Sequence, residues 1–573
     1  MRERLLISSF SVVFFLLGVS LFYTQVVRYP YYSRLSKNNS IRIIPIEGPR
    51  GVMLDRNGIA LVSNRLSFDV ALVYQELKDI RKLSRLLAGV LGLKGDDITR
   101  SIDKAGAKPY APVVIAEDIE KDKAIELEEA SFDVSGLMIQ TRSKRDYAFR
   151  GSASHISGYL GEVTEDELEN LRDYGYRPRD LIGRDGLEGY YDKYLRGQDG
   201  GTQIEVDSRG RQTRIIGLKE PVGGKDLKLS IDTRLQSVCD RLLGEHNGAI
   251  IVMDPKNGEV LSLASHPSYD PNIFIRSDTS EDRMRLIGDT LGRPLSNRAI
   301  SGLFPPGSVF KIVTASAGLE TGSISKDTEF TCLGSYRLGK GKFDCWKETG
   351  HGLQNVVEGL MNSCNVFFYH VGRLAGADNL EASAKAFGYG RVTGIDLPDE
   401  VKGLAPGKVW KRFYRNDGWY EGETLNYAIG QGYLLATPLQ IVCMTAVIAN
   451  GGNVVRPHLV NRIGSQDVQA QRPKKIGLNA RTINLIRQGM FEVVNNETGT
   501  GRYAKIEGAS IAGKTGTAEN PHGRTHAWFT GFAPYSDPKI CIVVFLEHGG
   551  KGGLEPASIA RGVFQEAKND GYI

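Results

Sequence analysis

The chain has few cysteines, a single long apolar run and nearly balanced charges. Six cysteines in 573 residues are too few for a disulfide-stapled scaffold. Lys and Arg number 72 and Asp and Glu 67, and the resulting net charge of +5 gives no case for nucleic-acid binding. One apolar run excludes a polytopic membrane protein. With 41% hydrophobic and 24% charged residues, the composition excludes a mainly disordered chain.

Glycine is the residue in clear excess. The chain has 67 glycines, well above the usual share of about 7%. Such an excess predicts many tight turns and places where the backbone comes close to another group. The length alone suggests three or four domains, and the local patterns have to decide how they are divided.

The apolar run lies at the N-terminus. Residues 5–27 carry no charge, and as a helix they would span about 35 Å, enough to cross a bilayer. Arg2 and Arg4 favour a cytoplasmic N-terminus, although Arg28 weakens the asymmetry. A membrane anchor is the favoured interpretation, with a cleaved signal peptide and a buried core helix as the alternatives. We therefore expect a tail at 1–4, an anchor at 5–27 and all remaining residues outside the cytoplasm.

The remaining chain divides near Pro221. Before it, strand-like and helical stretches alternate, and residues 48–58 and 183–188 read as structural turns. After it, we predict a helix at 233–245, a hairpin of 249–253 with 260–264, a strand at 540–546 and a helix at 556–567. The expected architecture is an α+β pedestal domain at 28–220 and one large α/β domain at 221–573.

The first chemical motif is Ser308-Val309-Phe310-Lys311, which follows Pro-Pro-Gly. The preceding residues predict a helix start, which puts Ser308 in the first turn and Lys311 on the same face one turn later. A serine hydroxyl needs a base, and a buried lysine with a lowered pKa can serve as one. Alone, the motif also fits a capped helix with a surface lysine.

Two further motifs complete a set. Ser363-Cys364-Asn365 offers a hydroxyl for proton relay and an amide for a substrate carbonyl. Residues 513–517 read as an edge strand in which Lys514, Thr515 and Thr517 suit a carboxylate, while Gly513 and Gly516 leave room for substrate. The order Ser-x-x-Lys, Ser-x-Asn and Lys-Thr-Gly is the motif set of penicillin-recognising serine acyltransferases.

Longer stretches make the resemblance specific. The chain resembles class B penicillin-binding proteins, and in detail the elongation-type penicillin-binding protein 2 family of peptidoglycan D,D-transpeptidases. The matching stretches are 50–58, 182–197, 265–272, 297–299, 430–432, 436–438 and 526–534. The resemblance implies a penicillin-recognising serine transferase fold, mainly an antiparallel sheet covered by helices, after an elongated pedestal and one transmembrane helix.

The resemblance also implies the chemistry. Ser308 would attack the penultimate D-Ala carbonyl of a stem pentapeptide, with Lys311 as the base. The other implied catalytic residues are Ser363, Asn365, Lys514 and Thr517, and the implied substrate-binding residues are Thr515, Gly516 and Thr517. β-Lactam antibiotics would acylate Ser308. A RodA-type membrane glycosyltransferase and other elongation-complex proteins would be partners at the bacterial cytoplasmic membrane.

Four potential metal ligands lie between the first two motifs. They are Cys332, Cys345, His351 and Cys364. Three thiolates and one imidazole make a normal tetrahedral zinc set, although the spacing is not that of a zinc finger. Elongation-type relatives resemble the chain in having a zinc site here, some with Asp at the first two positions. A structural zinc is the favoured interpretation, and a disulfide or unlinked cysteines stay open.

The motifs also leave other activities open. A β-lactamase would need a deacylating Glu-x-x-x-Asn, but Gly422 lies four residues before Asn426. A D,D-carboxypeptidase fits the motifs, although a long pedestal suits cross-linking better. The non-enzyme alternative is a catalytically dispensable activator of a membrane glycosyltransferase, and the intact motif set argues against it.

Overall fold

The computed structural model describes residues 2–107, 112–178, 180–206, 212–276, 278–469, 471–521 and 523–573. Its contacts divide the chain into two compact units. One unit consists of Met1–Arg50, Asn64–Lys144 and Arg196–Gly224, and the other of Gly51–Ser63, Arg145–Leu195 and Lys225–Ile573. The second unit therefore includes two stretches from the predicted pedestal range, and the domain limits 28–220 and 221–573 stay a prediction.

The first unit begins with helix Arg2–Phe22, a π-helical turn Tyr23–Val27 and helix Tyr29–Ser40. Within it, Leu6–Val27 has a mean hydropathy of 2.1, and it is long and apolar enough to cross a membrane. None of the side chains in that window is buried. The predicted apolar helix is thus present, and it is a candidate membrane anchor.

The rest of the first unit, in its described residues, is built of antiparallel strands and helices. Strands Ile41–Ile46, Gly200–Val206 and Gln212–Lys219 form one antiparallel sheet. Strand Ala60–Leu72 pairs with Val113–Ile119 and with Leu137–Tyr147. A short 3-10 turn lies at Tyr74–Glu76. Helices Ile80–Leu91, Gly95–Gly106 and Lys121–Ser131 bury Leu83, Leu87, Ile98 and Leu127 against these strands. The α+β prediction for this region is confirmed.

The second unit is built on a five-stranded antiparallel sheet, here called the central sheet. Its strands lie in the order Val260–His266, Gly248–Met253, Ile540–Leu546, His526–Ala533 and Ala512–Ala518. The strand Ile540–Leu546 is apolar throughout because both of its faces are covered. Ile540, Ile542 and Val544 face one hydrophobic cluster, and Cys541, Val543 and Phe545 face the other.

Helices cover both faces of the central sheet. Helices Thr233–Leu243 and Glu555–Asn569 belong to one cluster, and Lys311–Glu320, Asn365–Ala386 and Pro438–Ala449 to the other. The predicted hairpin, the strand at 540–546 and both terminal helices are confirmed to within a few residues. The remaining helices are Ser154–Ser157, Glu165–Leu171, Gly186–Tyr190, Asp192–Leu195, Ser280–Gly288, Val356–Met361, Lys408–Arg415, Glu421–Ala428 and Ala480–Asn495.

Short elements complete this unit. The 3-10 turns are Arg172–Tyr174, Pro271–Phe274, Gly307–Phe310 and Arg502–Ala504. Paired strands are Leu160–Glu162 with Leu181–Gly183, Phe330–Cys332 with Gly352–Gln354, Ser335–Leu338 with Gly341–Asp344, and Asn453–Val454 with Lys474–Lys475. Strands Gln466–Asp467, Val460–Ile463, Leu227–Leu229 and Met53–Leu54 are neighbours in that order, and Met53–Leu54 pairs with the start of Ala60–Leu72.

The two predicted turns are structural. In the first, the fully buried Asp55 accepts hydrogen bonds from the backbone N–H groups of Asn57 and Ile59 and from the Thr233 hydroxyl, each at 2.8 Å. In the second, Glu188 pairs with Arg145 at 2.7 Å, and both side chains are almost fully buried. A buried charge has to be paired, so each turn is fixed by a partner far away in the sequence.

Candidate active site

Ser308 lies in a 3-10 turn, Gly307–Phe310, that runs directly into helix Lys311–Glu320. We call Gly307–Phe310 the serine turn. Its other three residues are buried, whereas Ser308 is half-buried and within reach of a substrate. The predicted helix start and the separation of one turn between Ser308 and Lys311 are confirmed, with a tighter 3-10 geometry in place of the first α-helical turn.

Lys311 is fully buried and held by acceptors of the second motif. Its Nζ donates hydrogen bonds to the Ser363 carbonyl at 2.8 Å and to Asn365 Oδ1 at 2.6 Å. It also lies 3.4 Å from the Ser363 hydroxyl. A neutral amine has two N–H bonds and one lone pair. With both N–H bonds donated to carbonyl oxygens, the lone pair is left to accept a proton.

Ser363 connects the two lysines. Lys514 Nζ donates to the Ser363 hydroxyl at 2.8 Å and to the Thr515 carbonyl at 3.0 Å. Ser363 has a positive φ of 50°, a conformation that is unfavourable for a residue with a Cβ. It lies between helices Val356–Met361 and Asn365–Ala386. The three sequence motifs therefore meet around one hydroxyl.

Burial shifts the pKa of both lysines. It lowers the pKa of Lys311 to about 8. Burial, together with the nearby charge of Lys311, lowers the pKa of Lys514 well below its ordinary value. Burying two positively charged ammonium groups in one site without a carboxylate partner costs free energy. Burial therefore increases the neutral fraction of the Lys311 amine near neutral pH, and the neutral amine is the form that can accept a proton.

The strand Ala512–Ala518 carries Lys514 and is an edge strand of the central sheet, as predicted. Thr517 is its exposed residue, and the Thr517 carbonyl lies against Gly307 of the serine turn. Thr515 is buried and donates a hydrogen bond to the Thr500 hydroxyl at 3.0 Å. Thr517 is thus open to a substrate, and the carboxylate-binding role of Thr515 stays a prediction.

The prediction that Gly513 and Gly516 leave room for a substrate is wrong. A Cβ on Gly516 would meet Val309 Cγ2 at 2.8 Å and the Pro306 carbonyl at 3.0 Å. A Cβ on Gly513 would meet the ring of Phe529. Both glycines therefore permit close packing inside the protein, and they do not clear space for a substrate. Gly516 in particular lets the strand lie directly against the serine turn.

The four predicted metal ligands also come together, and we call them the thiol cluster: Cys332, Cys345, His351 and Cys364. Their ligand atoms all lie within 4.8 Å of one another. His351 Nδ1 is 3.6 Å from the sulfur of Cys332 and 3.5 Å from that of Cys345. In the structure, all six cysteines are unlinked.

The backbone fixes the thiol cluster. Strand Phe330–Cys332 pairs with Gly352–Gln354, which brings Cys332 beside the loop of His351. The N–H of His351 donates to the Cys332 carbonyl at 3.1 Å. Cys364 is the N-cap of helix Asn365–Ala386 and accepts from the Phe367 N–H at 3.4 Å. The cluster therefore adjoins the strained turn at Ser363.

Two sets of hydrogen bonds in the site cannot be predicted from the sequence. The Thr500 hydroxyl accepts from Thr515 and donates to the Met361 carbonyl at 3.2 Å, which links the edge strand to the helix before Ser363. The Asp344 carbonyl accepts from Asn365 Nδ2 at 3.2 Å. Thr500 lies in none of the motifs. Asp344 acts through its backbone carbonyl, which any residue type could supply.

Comparison with known families decides the identity. The model of the penicillin-binding protein transpeptidase domain matches residues 248–565, and that of the penicillin-binding protein dimerisation domain matches residues 45–229. The chain belongs to the penicillin-binding protein transpeptidase family. It is therefore an enzyme of the penicillin-binding transpeptidase type, and its two matched regions agree with the predicted fold class.

Relatives place this penicillin-binding protein more narrowly. The peptidoglycan D,D-transpeptidase MrdA of Salmonella typhimurium is 33% identical, with 97% of this chain and 94% of the relative covered. MrdA of Escherichia coli K12 is 32% identical, covering 93% and 88%. The expected resemblance to the elongation-type family is confirmed.

Solved structures agree with this placement. Helicobacter pylori PBP2 in complex with MreC matches with a TM-score of 0.80 and 30% identity, covering 93% of this chain and all of that one. A peptidoglycan synthase complex of polymerization and crosslinking matches with a TM-score of 0.77 and 32% identity, covering 98% and 97%. This penicillin-binding protein thus has the fold of both.

Proposed function

We propose that the chain is a peptidoglycan D,D-transpeptidase that cross-links stem peptides during cell elongation through an acyl-enzyme on Ser308. The observation that carries this proposal is the position of Lys311. It is buried one turn after Ser308 and is hydrogen-bonded to Ser363 and Asn365. The second lysine, Lys514, donates to the hydroxyl of Ser363. The names of the curated relatives support the substrate.

In the acylation step, the Ser308 hydroxyl oxygen attacks the carbonyl carbon of the penultimate D-Ala. The Lys311 amine takes the hydroxyl proton as the bond forms. Backbone N–H groups of Ser308 and Thr517 stabilise the oxyanion. When the tetrahedral intermediate collapses, the terminal D-Ala leaves as an amine, and a proton reaches its nitrogen through Ser363, which contacts both lysines. Asn365 positions the stem peptide.

In the second step, an amine of a neighbouring stem peptide attacks the acyl carbonyl. It loses a proton to the restored Lys311 amine, and the Lys311 ammonium returns that proton to the Ser308 oxygen, which leaves as a hydroxyl. A new peptide bond joins the two stems. A β-lactam acylates Ser308 in the same way, and the missing deacylating glutamate makes its hydrolysis slow. The relatives named above are transpeptidases, which favours cross-linking over D,D-carboxypeptidase activity.

The thiol cluster holds a structural zinc ion. The residues fit because three sulfurs and one imidazole nitrogen converge at distances suited to a single tetrahedral ion. Cys332, Cys345 and Cys364 would bind through sulfur and His351 through Nδ1. The ion would join its four ligands and so fix the loop that carries them, and it would take no part in the reaction. Its ligand Cys364 adjoins Ser363, so the ion stabilises the turn that presents Ser363 and Asn365.

The protein lies in the bacterial cytoplasmic membrane with its catalytic unit outside the cytoplasm. The apolar helix Leu6–Val27 supports this location. Its partners include elongation-complex proteins, among them a RodA-type glycosyltransferase. The Helicobacter pylori relative in complex with MreC and the related peptidoglycan synthase complex support this choice of partners.

Labelling with a fluorescent penicillin tests the function. The full chain is expected to label covalently, and Ser308→Ala is expected to abolish the signal because no other group forms the acyl-enzyme. Ser558→Ala, which changes an exposed serine on helix Glu555–Asn569, serves as the matched control and should label normally. Absence of labelling in folded wild-type protein would refute the enzyme assignment.

A further inference from the structure

Asn362 lies between the thiol cluster and the turn that presents Ser363. It is the C-cap of helix Val356–Met361, and Ser363 follows it directly in the chain. The last carbonyls of a helix have no partner inside the helix, so the Asn362 carbonyl needs a donor from elsewhere. Neither the three motifs nor the reaction above uses this residue.

Trp346 supplies that donor. Its indole N–H donates to the Asn362 carbonyl at 3.0 Å. Trp346 directly follows Cys345 of the thiol cluster, and its ring packs against that of His351, with centroids 5.1 Å apart. Within the described residues, His351 Nε2 makes no hydrogen bond, so this packing helps to orient the imidazole. One side chain thus contacts both a proposed metal ligand and the residue before Ser363.

Gln354 makes a second link from the thiol cluster to Asn362, and it is 4% exposed. Its amide oxygen accepts a hydrogen bond from Asn362 Nδ2 at 2.8 Å, and its amide nitrogen donates to the His351 carbonyl at 3.2 Å. It ends strand Gly352–Gln354, which pairs with the strand of Cys332. Asn362 is therefore held through its carbonyl and through its side chain, in each case by a residue beside the thiol cluster.

Ser363 depends on such support. Its φ of 50° is unfavourable for a residue with a Cβ, and residues strained in this way persist only where the surrounding contacts fix them. The Ser363 carbonyl accepts from Lys311, and its hydroxyl accepts from Lys514. A small rotation at Asn362 would move both acceptors, and it would disturb the contact that fixes the base Lys311.

We propose that Trp346 and Gln354 are positioning residues for the reaction, which hold Asn362 against the thiol cluster and so make the position of Ser363 depend on the bound metal. The proposal rests on the proposed function, which supplies both the acyl-enzyme and the zinc ion. Without the ion, the loop that carries Trp346 and Gln354 loosens, and their hydrogen bonds to Asn362 weaken. Lys311 then loses a well-placed acceptor, and acylation slows.

Penicillin acylation with and without zinc tests this role. The full chain in detergent is reacted with benzylpenicillin as purified, after chelation, and after zinc is restored. Wild-type acylation should slow roughly tenfold on chelation, since one or two hydrogen bonds of ordinary strength are lost, and it should recover with zinc. Trp346→Phe keeps a ring beside His351 and removes the N–H. Its zinc-bound form should already acylate about fivefold more slowly than wild type, and chelation should slow it further by a factor of only about two.

A double variant sharpens the test. Trp346→Phe combined with Gln354→Leu removes both links to Asn362, so its acylation rate should not respond to chelation. Zinc content by elemental mass spectrometry should stay near-stoichiometric in both variants, because every ligand is kept. A residue that only stabilises the fold would lower the melting temperature and leave the factor lost on chelation unchanged. Leu333→Ala, whose side chain is 79% exposed beside Cys332, is the matched control and should keep the wild-type factor.

The same factor in wild type, Trp346→Phe and the double variant would overturn the proposal, and so would a wild-type rate that ignores chelation. If the double variant does not fold, Trp346→Phe decides alone, because Trp346 is 59% exposed and tolerates the change. Failure of the proposed function gives different results. Wild-type protein purified without zinc refutes the metal site and this role with it, whereas folded wild type that benzylpenicillin does not acylate refutes the enzyme assignment.

Discussion

Lys311 Nζ lies 2.6 Å from Asn365 Oδ1, a contact that spans 54 residues of sequence. The Asn365 amide oxygen accepts one N–H of the neutral Lys311 amine, and the Ser363 carbonyl accepts the other. The amine is therefore fixed in place, and its lone pair remains to accept a proton. This relationship joins the first motif to the second, and it makes the base of the reaction depend on the loop that carries the thiol cluster.

The pH dependence of acylation follows from the Lys311 pKa, which burial lowers to about 8. The neutral amine is the reactive form, and its population increases as pH rises through that value. The second-order rate of penicillin acylation should therefore rise nearly tenfold per pH unit below the pKa and level off above it. Stopped-flow measurements from pH 6 to 9.5, with circular dichroism as the control for folding, test this; a flat profile contradicts it.

Asn365→Asp should move that profile. The new carboxylate would lie beside the Lys311 amine and stabilise its charged form, which raises the lysine pKa by about one unit or more. The acylation rate at pH 7 should fall, and the midpoint of the pH profile should shift upward. Asn365→Ala, which adds no charge, is the matched control. If both variants share the wild-type midpoint, Asn365 does not set the charge state of Lys311.

Gly516→Ala should affect both stability and acylation. Its Cβ would meet Val309 Cγ2 at 2.8 Å and the Pro306 carbonyl at 3.0 Å, so the serine turn has to move. Overpacking of this kind costs about 1–3 kcal/mol, measured as a lower free energy of unfolding, with slower penicillin labelling. Gly288→Ala, with nothing within 4 Å of the added Cβ, should be neutral. Equal behaviour of the two variants would show that the strand does not hold the turn.

The zinc proposal predicts near-stoichiometric zinc in protein purified without chelators, measured by elemental mass spectrometry. Cys332→Ser should lose the metal and lower the melting temperature, because the Ser363 turn loses its cross-link. Cys443→Ser changes a buried cysteine outside the cluster and should keep zinc. Metal-free wild-type protein with full labelling activity would refute the proposal.

The local motifs predict the chemistry of the site better than they predict the packing around it. The motifs of Ser308, Ser363 and Lys514 are local, and each residue type is tied to a reaction. The strand Ile540–Leu546 was predicted with its limits because its apolar run fits a fully covered central strand. Periodicity and motif spacing suffice for features of this kind.

What the sequence did not predict depends on long-range contacts. Gly516 was assigned to substrate clearance, and only the fold reveals Val309 against it. The Thr500 link to Thr515 joins residues that no motif connects. Residues 51–63 and 145–195 belong with the C-terminal unit because hydrogen bonds such as those from the Thr233 hydroxyl to Asp55 and from the Tyr191 hydroxyl to Asp396 hold them there. No single-chain pattern encodes such pairings.

The most direct test of the account is the site of covalent attachment. After incubation with benzylpenicillin, the full chain is digested and its peptides are mapped by mass spectrometry. We expect one adduct per chain, on Ser308, and a rate of adduct formation that falls by a factor of about 100 or more in Lys311→Met, which is the size of a general-base contribution. An adduct on another residue, or none in folded protein, would contradict it.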